Sequence, residues 1–345
     1  MSESGLMKTL KLSELPLPPT GREGWPWTVE TPPLKSALPT EPALPRVSIV
    51  TPSLNQAAFL EETLRSVLLQ GYPDLEYLVI DGGSTDGSVE IIRKYASFLS
   101  YWVSEPDRGQ ADAINKGLRR LSGQIVGWLN SDDMLLPRAV QRAVVHLSDH
   151  PEIDVVYGPV ERINERSHRV PTPLLPKDKV EMNRQNALAG CVVNQPGCFW
   201  RSEWTEKVGL LDESLRYAMD YDYWVRFLLA GANFSRLPET MAAFRLSGGS
   251  KTVQQAAPMA LEGIRVIDSF ASRPEVPQML GLPKEELERQ ARKGRSIYAV
   301  HAFIAYARQR RWGDAFQWLG RALRQNPMVP LERRWLDLLV ARLRR

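Results

Sequence analysis

From Arg46 onward, short apolar runs alternate with stretches in which apolar residues recur at helical spacing, and polar turn residues separate the two. Val47-Ser48-Ile49-Val50 reads as a strand, Thr51 to Asn55 as a turn, and Phe59, Leu60, Thr63, Leu64, Val67 and Leu68 as one face of a helix. Leu75 to Ile80 is a second strand. It ends in Asp81-Gly82-Gly83-Ser84-Thr85-Asp86-Gly87, where glycines allow close backbone approach and Ser, Thr and Asp can cap the helix carrying Val89, Ile91, Ile92 and Tyr95. Leu99 to Val103 reads as a third strand, and Arg108-Gly109-Gln110 opens a helix with Ala113, Ile114, Gly117, Leu118 and Leu121 inward. Ile125 to Leu129 is a fourth, buried strand. It runs into Asn130-Ser131-Asp132-Asp133 ahead of a helix from Pro137 to about His146. Further strands are expected over 153–158, 194–200, 234–237 and 241–246, with a helix opening at Met219. Strands separated by helices imply right-handed crossovers and a mostly parallel central sheet flanked by helices, an α/β fold.

The flanks differ from this pattern. Residues 1–45 form a Pro-rich arm, with Leu-Pro-Leu-Pro-Pro at 15–19, that cannot sustain a helix and should be extended. Trp25-Pro26-Trp27 argues against a bare linker, so the arm is expected to lie against the main domain, 46–254. Residues 161–190 are polar and broken by proline, a mobile region over a site. Residues 255–345 form a helical, basic C-terminal region in which Ser296 to Asn326 is like one tetratricopeptide-type hairpin. Trp335 to Arg345 alternates apolar and basic positions, which fits either a helix packed on that hairpin or one attached to an anionic membrane surface.

Apolar content of 43% and charged content of 24% are those of a globular protein, and a net charge of +4 is too small to imply a nucleic-acid partner. Two cysteines, Cys191 and Cys198, suit a reducing compartment, and no apolar run reaches spanning length. A cytoplasmic protein, with peripheral membrane contact through the C-terminal region as one option, is the expectation.

The chemistry concentrates at Asp132 and Asp133. Adjacent carboxylates at the carboxyl end of a core strand lie where open α/β sheets bind ligands, and such donors suit Mg²⁺ or Mn²⁺ on a phosphate. The same residues could simply cap the next helix. The first turn lacks Gly-x-Gly-x-x-Gly and no Gly-x-x-x-x-Gly-Lys-Ser/Thr loop follows any strand, which excludes dehydrogenase and P-loop readings.

Taken together, Val47 to Asn55, Asp81 to Ser88, Gly109 to Gly117, Asn130 to Asp133 and Met219 to Trp224 resemble the family-2 glycosyltransferases, over about residues 46–250. The resemblance implies the A-type glycosyltransferase fold. It also implies a nucleotide-sugar donor of UDP or dTDP type and a glycan or lipid-linked acceptor. Thr51, Pro52 and Asp81 would then frame the nucleobase and ribose, with Arg108 and Asn115 beside the nucleotide. Asp133 matches the better metal ligand, and Asp132 would contact ribose or metal. Asp220 matches the catalytic base, with Asp222 as the alternative. Gln195, Trp200 and Trp224 are candidates for a sugar or acceptor pocket, although buried Trp is more often core.

A divalent cation would neutralise the diphosphate leaving group while a carboxylate takes the acceptor proton, which implies inversion at the anomeric carbon. Two positions depart from the family. Met219 stands where relatives often have Glu, and Ser247 stands where many have a metal-binding His. Both departures keep open a rival reading, a non-catalytic nucleotide-sugar-binding scaffold in glycan assembly. A pyrophosphorylase would need a Gly-rich, Arg-containing loop after the first strand, and Thr51 to Asn55 has neither residue.

Overall fold

The computed structural model describes residues 9–34, 44–170, 180–247 and 255–331. The chain divides into two compact units. One comprises Met1–Val170, Asn194–Leu210 and Phe234–Arg245, and the other Pro171–Val193, Leu211–Asn233 and Leu246–Arg345.

In the first unit the strands are β1 (Val47–Ser53), β2 (Leu75–Asp81), β3 (Tyr101–Ser104), β4 (Ile125–Trp128), β5 (Met134–Leu135), β6 (Val155–Tyr157), β7 (Val160–Ile163), β8 (Cys198–Arg201), β9 (Phe234–Arg236) and β10 (Ala242–Arg245). The helices are α1 (Ala57–Leu68), α2 (Ser88–Tyr95), α3 (Gln110–Leu118), α4 (Ala139–Asp149) and α5 (Glu203–Val208). Seven strands form one sheet in the order β3-β2-β1-β4-β8-β6-β9, and β5-β10-β7 form a smaller one. All seven residues of β1 are buried, as befits a central strand covered on both faces. The large sheet is mostly parallel, with β8 running antiparallel to both β4 and β6.

Three local readings change. The third strand begins at Tyr101 rather than Leu99, because Ala96–Phe98 makes a 3-10 turn that the Leu99 amide closes onto the Ala96 carbonyl. The fourth helix spans Ala139–Asp149 rather than opening at Pro137. Within the stretch expected to be mobile, Val160–Ile163 instead pairs in parallel with β10, and Arg169 returns to form an ion pair with Glu161 at 2.6 Å.

The arm is tied to this unit at several points. Trp25 Nε1 donates to the Leu135 carbonyl at 2.9 Å and Trp27 Nε1 to Glu62 at 3.2 Å. Arg65 of α1, fully buried, donates to the carbonyls of Pro16, Pro26 and Trp27 and to the Tyr95 hydroxyl. Leu15 and Trp27 are themselves buried.

Helix α3 packs tightly on β1 through Gly117. A Cβ there would stand 2.4 Å from Val50 Cγ1 and 2.8 Å from Cγ2. Val50 is fully buried, and its β-branched side chain is stiff at χ1. Gly117→Ala should therefore lose about 1–3 kcal/mol to overpacking despite alanine's better helix propensity. A lowered urea midpoint with an unchanged slope checks this; a raised midpoint refutes it.

The second unit is helical: α6 (Met219–Leu229), α7 (Ala256–Ala271), α8 (Val276–Leu280), α9 (Lys284–Arg308), α10 (Trp312–Gln325) and α11 (Met328–Leu331). The hairpin read at Ser296 to Asn326 is the second half of α9 followed by α10. Ala299, Val300, Ala302, Ile304, Trp318 and Ala322 form its core, and Ser296 Oγ donates to the Ala322 carbonyl at 3.0 Å. Among the described residues no helix is long and apolar enough to cross a membrane. The stretch Trp335 to Arg345 lies outside the described residues.

Candidate functional site

Because β3, β2, β1 and β4 are mutually parallel, their carboxyl ends share one edge of the first unit. The register sets Ser53 opposite Asp81 and Asp81 opposite Ser104, while the Leu129 amide donates to the Val50 carbonyl. Chain order reverses between β1 and β4, which creates the crevice where open α/β sheets bind ligands. The loops after β1, β2, β3 and β4 all open there.

Asp81 is fully buried and organises its own loop. Its carboxylate accepts from the amides of Gly83 and Ser84 and from the hydroxyls of Ser84 and Ser104, at 2.5–3.1 Å. Four donors use the acceptor capacity of a carboxylate, so Asp81 in this state holds the loop in shape. The loop in turn grips the start of α1: the Asn55 amide donates to Ser84, the Gln56 amide to Ser88, and the Ala57 amide to Asp86 at 2.9 Å. Burial pushes the Asp86 carboxyl up, but the Ser88 hydroxyl and the Ala57 and Ser88 amides hold it below the ordinary carboxylate value.

Thr51 is fully buried with its hydroxyl 2.9 Å from that of Tyr77, and Pro52 is buried beside it on β1. Arg108 is exposed and pairs with Asp112 at 3.1 Å, and Asn115 is buried on α3.

The acidic pair after β4 is the most constrained feature of this edge. Asp133 is 1% exposed, and its Oδ1 accepts from the Arg245 amide at 2.9 Å. Its Oδ2 meets only Asn130 Nδ2 among the described residues, at 3.5 Å. The main chain is pinned as well: Thr63 Oγ1 donates to the Ser131 and Asp133 carbonyls, and Arg245 Nε to the Asp132 carbonyl at 2.8 Å. The Arg245 guanidinium, fully buried, pairs with Glu62 at 2.6 Å, donates to Asn164 and Ser167, and stacks 4.6 Å from the Phe59 ring centroid. Gln110 donates to Asn130 at 2.7 Å, and Gln195 donates to the Trp128 carbonyl at 2.7 Å with its Oε1 3.4 Å from Asn130. Gln195 thus joins the site.

Burial pushes the Asp133 carboxyl well above the usual carboxylate range, and the Asp132 charge adds to this; the Arg245 amide and charge oppose it. Two like charges with one under-used buried oxygen make a set of hard donors that a divalent cation would relieve, so these residues fit Mg²⁺ or Mn²⁺. Among the described residues no third His, Cys, Asp or Glu completes a cage.

In the second unit, Asp220 and Asp222 lie in the first turn of α6. Asp222 is held by Arg226 at 2.8 Å and is 14% exposed. Asp220 is half-buried and its Oδ1 accepts from the Tyr221 amide at 2.7 Å. Trp224 has no exposed surface and packs among Tyr223 and Phe227. Trp200, in the first unit, is equally buried, with its ring edge on Trp128 and its Nε1 donating to Thr205 at 2.9 Å. Both indoles are core residues here.

Sequence reasoning missed Glu62, and it named Thr63, Asn130 and Arg245 without giving them a bracing role. A charged residue at the inward spacing of α1, beside Thr63 and Leu64, was the one available signal for Glu62.

Comparison with known proteins gives the family and the fold. The sequence model of glycosyl transferase family 2 matches residues 48–209. An uncharacterized glycosyltransferase of Mycobacterium tuberculosis is 33% identical over 189 residues, which are 54% of this chain and 70% of that protein. One from Rickettsia typhi is 31% identical over 193 residues, and there the match spans 53% of this chain and 59% of the relative's length. Among solved structures, Staphylococcus aureus TarS 1–349 in complex with UDP-GlcNAc superposes with a TM-score of 0.61 at 16% identity, covering 81% of each chain. The mannosyltransferase PcManGT of Pyrobaculum calidifontis, in complex with GDP-Man and Mn²⁺, gives 0.60 at 20% identity over 87% of this chain and 85% of its own. Those likenesses establish the A-type glycosyltransferase fold, and with the sequence matches they show that the chain belongs to glycosyl transferase family 2.

Proposed function

We propose that the protein transfers a sugar, with inversion, from a nucleoside-diphosphate sugar of UDP or dTDP type to a hydroxyl of a glycan or lipid-linked acceptor. The observation that carries this reading is the cross-braced Asp132-Asp133 pair at the carboxyl end of β4, with Asp133 buried. Solved relatives of the same fold in complex with UDP-GlcNAc and with GDP-Man and Mn²⁺ support it.

In this reading Asp133, with Asp132, would hold Mg²⁺ or Mn²⁺. When bound, the cation supplies neutralisation of the diphosphate charge as the leaving group departs. The rest follows from the chain's own residues. Arg245 and Glu62 fix where the two carboxylates stand, and Gln110, Asn130 and Gln195 line the mouth with amide donors and acceptors. Asp220 takes the proton of the acceptor hydroxyl as it attacks the anomeric carbon from the face opposite the leaving group. Sparse cysteine usage supports a cytoplasmic setting.

Thermal-shift screening against UDP-, dTDP- and GDP-sugars with Mn²⁺ tests the reading, because a ligand that binds the native state raises its melting temperature. One donor class should stand out and release nucleoside diphosphate on incubation. Binding without release would favour the scaffold reading, and no stabilisation by any donor would sink both. Asp133→Ala should abolish the Mn²⁺ enhancement of nucleoside-diphosphate binding in calorimetric titration while leaving the fold intact. Unchanged enhancement would remove Asp133 from the metal site.

A further inference from the structure

The turn that leads into α6 closes on a carboxylate supplied from α7. Glu262 accepts from three successive amides, those of Arg216, Tyr217 and Ala218, at distances between 2.5 and 3.1 Å, and is 7% exposed. Within α6 the Ala218 carbonyl accepts from the Asp222 amide, so the residue gripped by Glu262 is the one from which the helix starts. Asp220 is two residues further on.

Amides at a helix N-terminus need an acceptor: the Asp220 side chain takes the Tyr221 amide, but Ala218, at the cap position, has no side-chain acceptor to take the amides before it. Met219 brings no carboxylate to this turn either. A buried carboxylate from another helix fills the need, and it brings a negative charge to the positive end of the α6 dipole.

The next residue on α7 serves the same place. Gly263 lies against the Tyr298 ring so closely that a Cβ would stand 2.5 Å from Cε1 and Cζ. Tyr298, partly buried on α9, is held well above its ordinary value chiefly by burial, with Tyr221, Cys191 and Asp220 among the nearby groups that add to this. Glu262 and Gly263 together therefore hold the turn before Asp220 and pack the ring whose centroid lies 6.1 Å from that of Tyr221.

We propose that Glu262 is a positioning residue for Asp220, holding the first turn of α6 so that the Asp220 carboxylate is presented in one orientation. This rests on the reading of Asp220 as the base. Glu262 moves no proton; it restricts where a catalytic carboxylate stands, and a misplacement on the order of 1 Å costs roughly 10²-fold in rate.

The test compares Glu262→Gln, Glu262→Ala and Asp220→Asn in the full chain, assayed by nucleoside-diphosphate release from the donor selected in the thermal-shift screen. A glutamine oxygen can accept from at most two of the three amides, and its NH2 group would face the third donor. The Gln variant should therefore lose about tenfold in kcat with donor KM within twofold of the parent, and the Ala variant on the order of 10²-fold. The acidic limb of the kcat–pH profile should shift in both, since the base sits in an altered position. Hydrogen exchange should show the Arg216, Tyr217 and Ala218 amides losing protection in step with kcat.

Parental kcat and pH profile in folded Glu262→Gln, with Asp220→Asn inactive, would overturn the positioning role and leave the base assignment standing. Normal turnover by Asp220→Asn would overturn the base assignment, and the proposal with it. If Glu262→Ala does not fold, Glu262→Gln alone decides.

Discussion

Asp220→Asn is expected to keep donor affinity and lose transfer by a factor on the order of 10² to 10⁴, the usual contribution of a positioned general base. The two carboxylates of the first α6 turn are unequal. Asp222 is bound to Arg226 at 2.8 Å. Burial pushes its carboxyl up, the Arg226 and Arg273 charges oppose this, and Asp212 adds to it. A carboxylate committed to an ion pair must surrender that partner before it can accept a proton. Asp220 lies at the amino-terminal end of α6, ahead of the Tyr221 amide that it already engages. Donor KM and kcat measured for both Asn variants separate the two. Inactivity of Asp222→Asn together with normal turnover by Asp220→Asn would reverse the assignment.

Breaking the buried Arg245–Glu62 pair should be the most destabilising surgery in the first unit. The two side chains are 0% and 4% exposed, so either one left alone is a buried charge without its counter-ion. Removing one partner of such a pair costs about 3–5 kcal/mol, whereas replacing both by apolar residues of similar volume is often neutral. Glu62→Ala and Arg245→Met should each lower the unfolding free energy measured in urea by that amount, and the Glu62→Met/Arg245→Met double variant should recover part of it. Each single variant should also weaken Mn²⁺-dependent nucleotide binding: Arg245→Met removes the Nε that holds the Asp132 carbonyl, and Glu62→Ala removes the carboxylate that fixes the guanidinium. A single variant within about 1 kcal/mol of the parent would mean that water reaches the pair and that the acidic loop is braced by main-chain contacts alone.

What the sequence made legible follows from the range of each interaction. β1, β2 and β4 and the loops beginning at Asp81 and Asn130 could be read because their signals are local: period, turn residues and a carboxylate where a strand stops. The direction of β8 could not be read. An antiparallel strand of four residues has the same apolar pattern as a parallel one, and only pairing with β4 and β6 fixes its sense. Glu262 was invisible, and Glu62 only hinted at by its inward spacing on α1, for a related reason. Each is a helical carboxylate whose role is set by a partner, 183 residues away for Glu62 and 44 to 46 away for Glu262, that folds onto it. Trp200 and Trp224 were open between pocket and core because an indole serves either, and only burial separates the two uses.

The grip of Arg65 on the arm bears on where this protein can be cut. The family match begins at residue 48, and a boundary drawn from it would place a fragment's start near Arg46. Such a fragment would keep every strand of the large sheet and still discard the three carbonyls, from Pro16, Pro26 and Trp27, on which a fully buried guanidinium depends. It would also take Trp27 off Glu62, and so reach the brace behind Asp133 from the opposite side. The homologous segment and the autonomous folding segment are therefore different lengths of chain, and the arm belongs to the second.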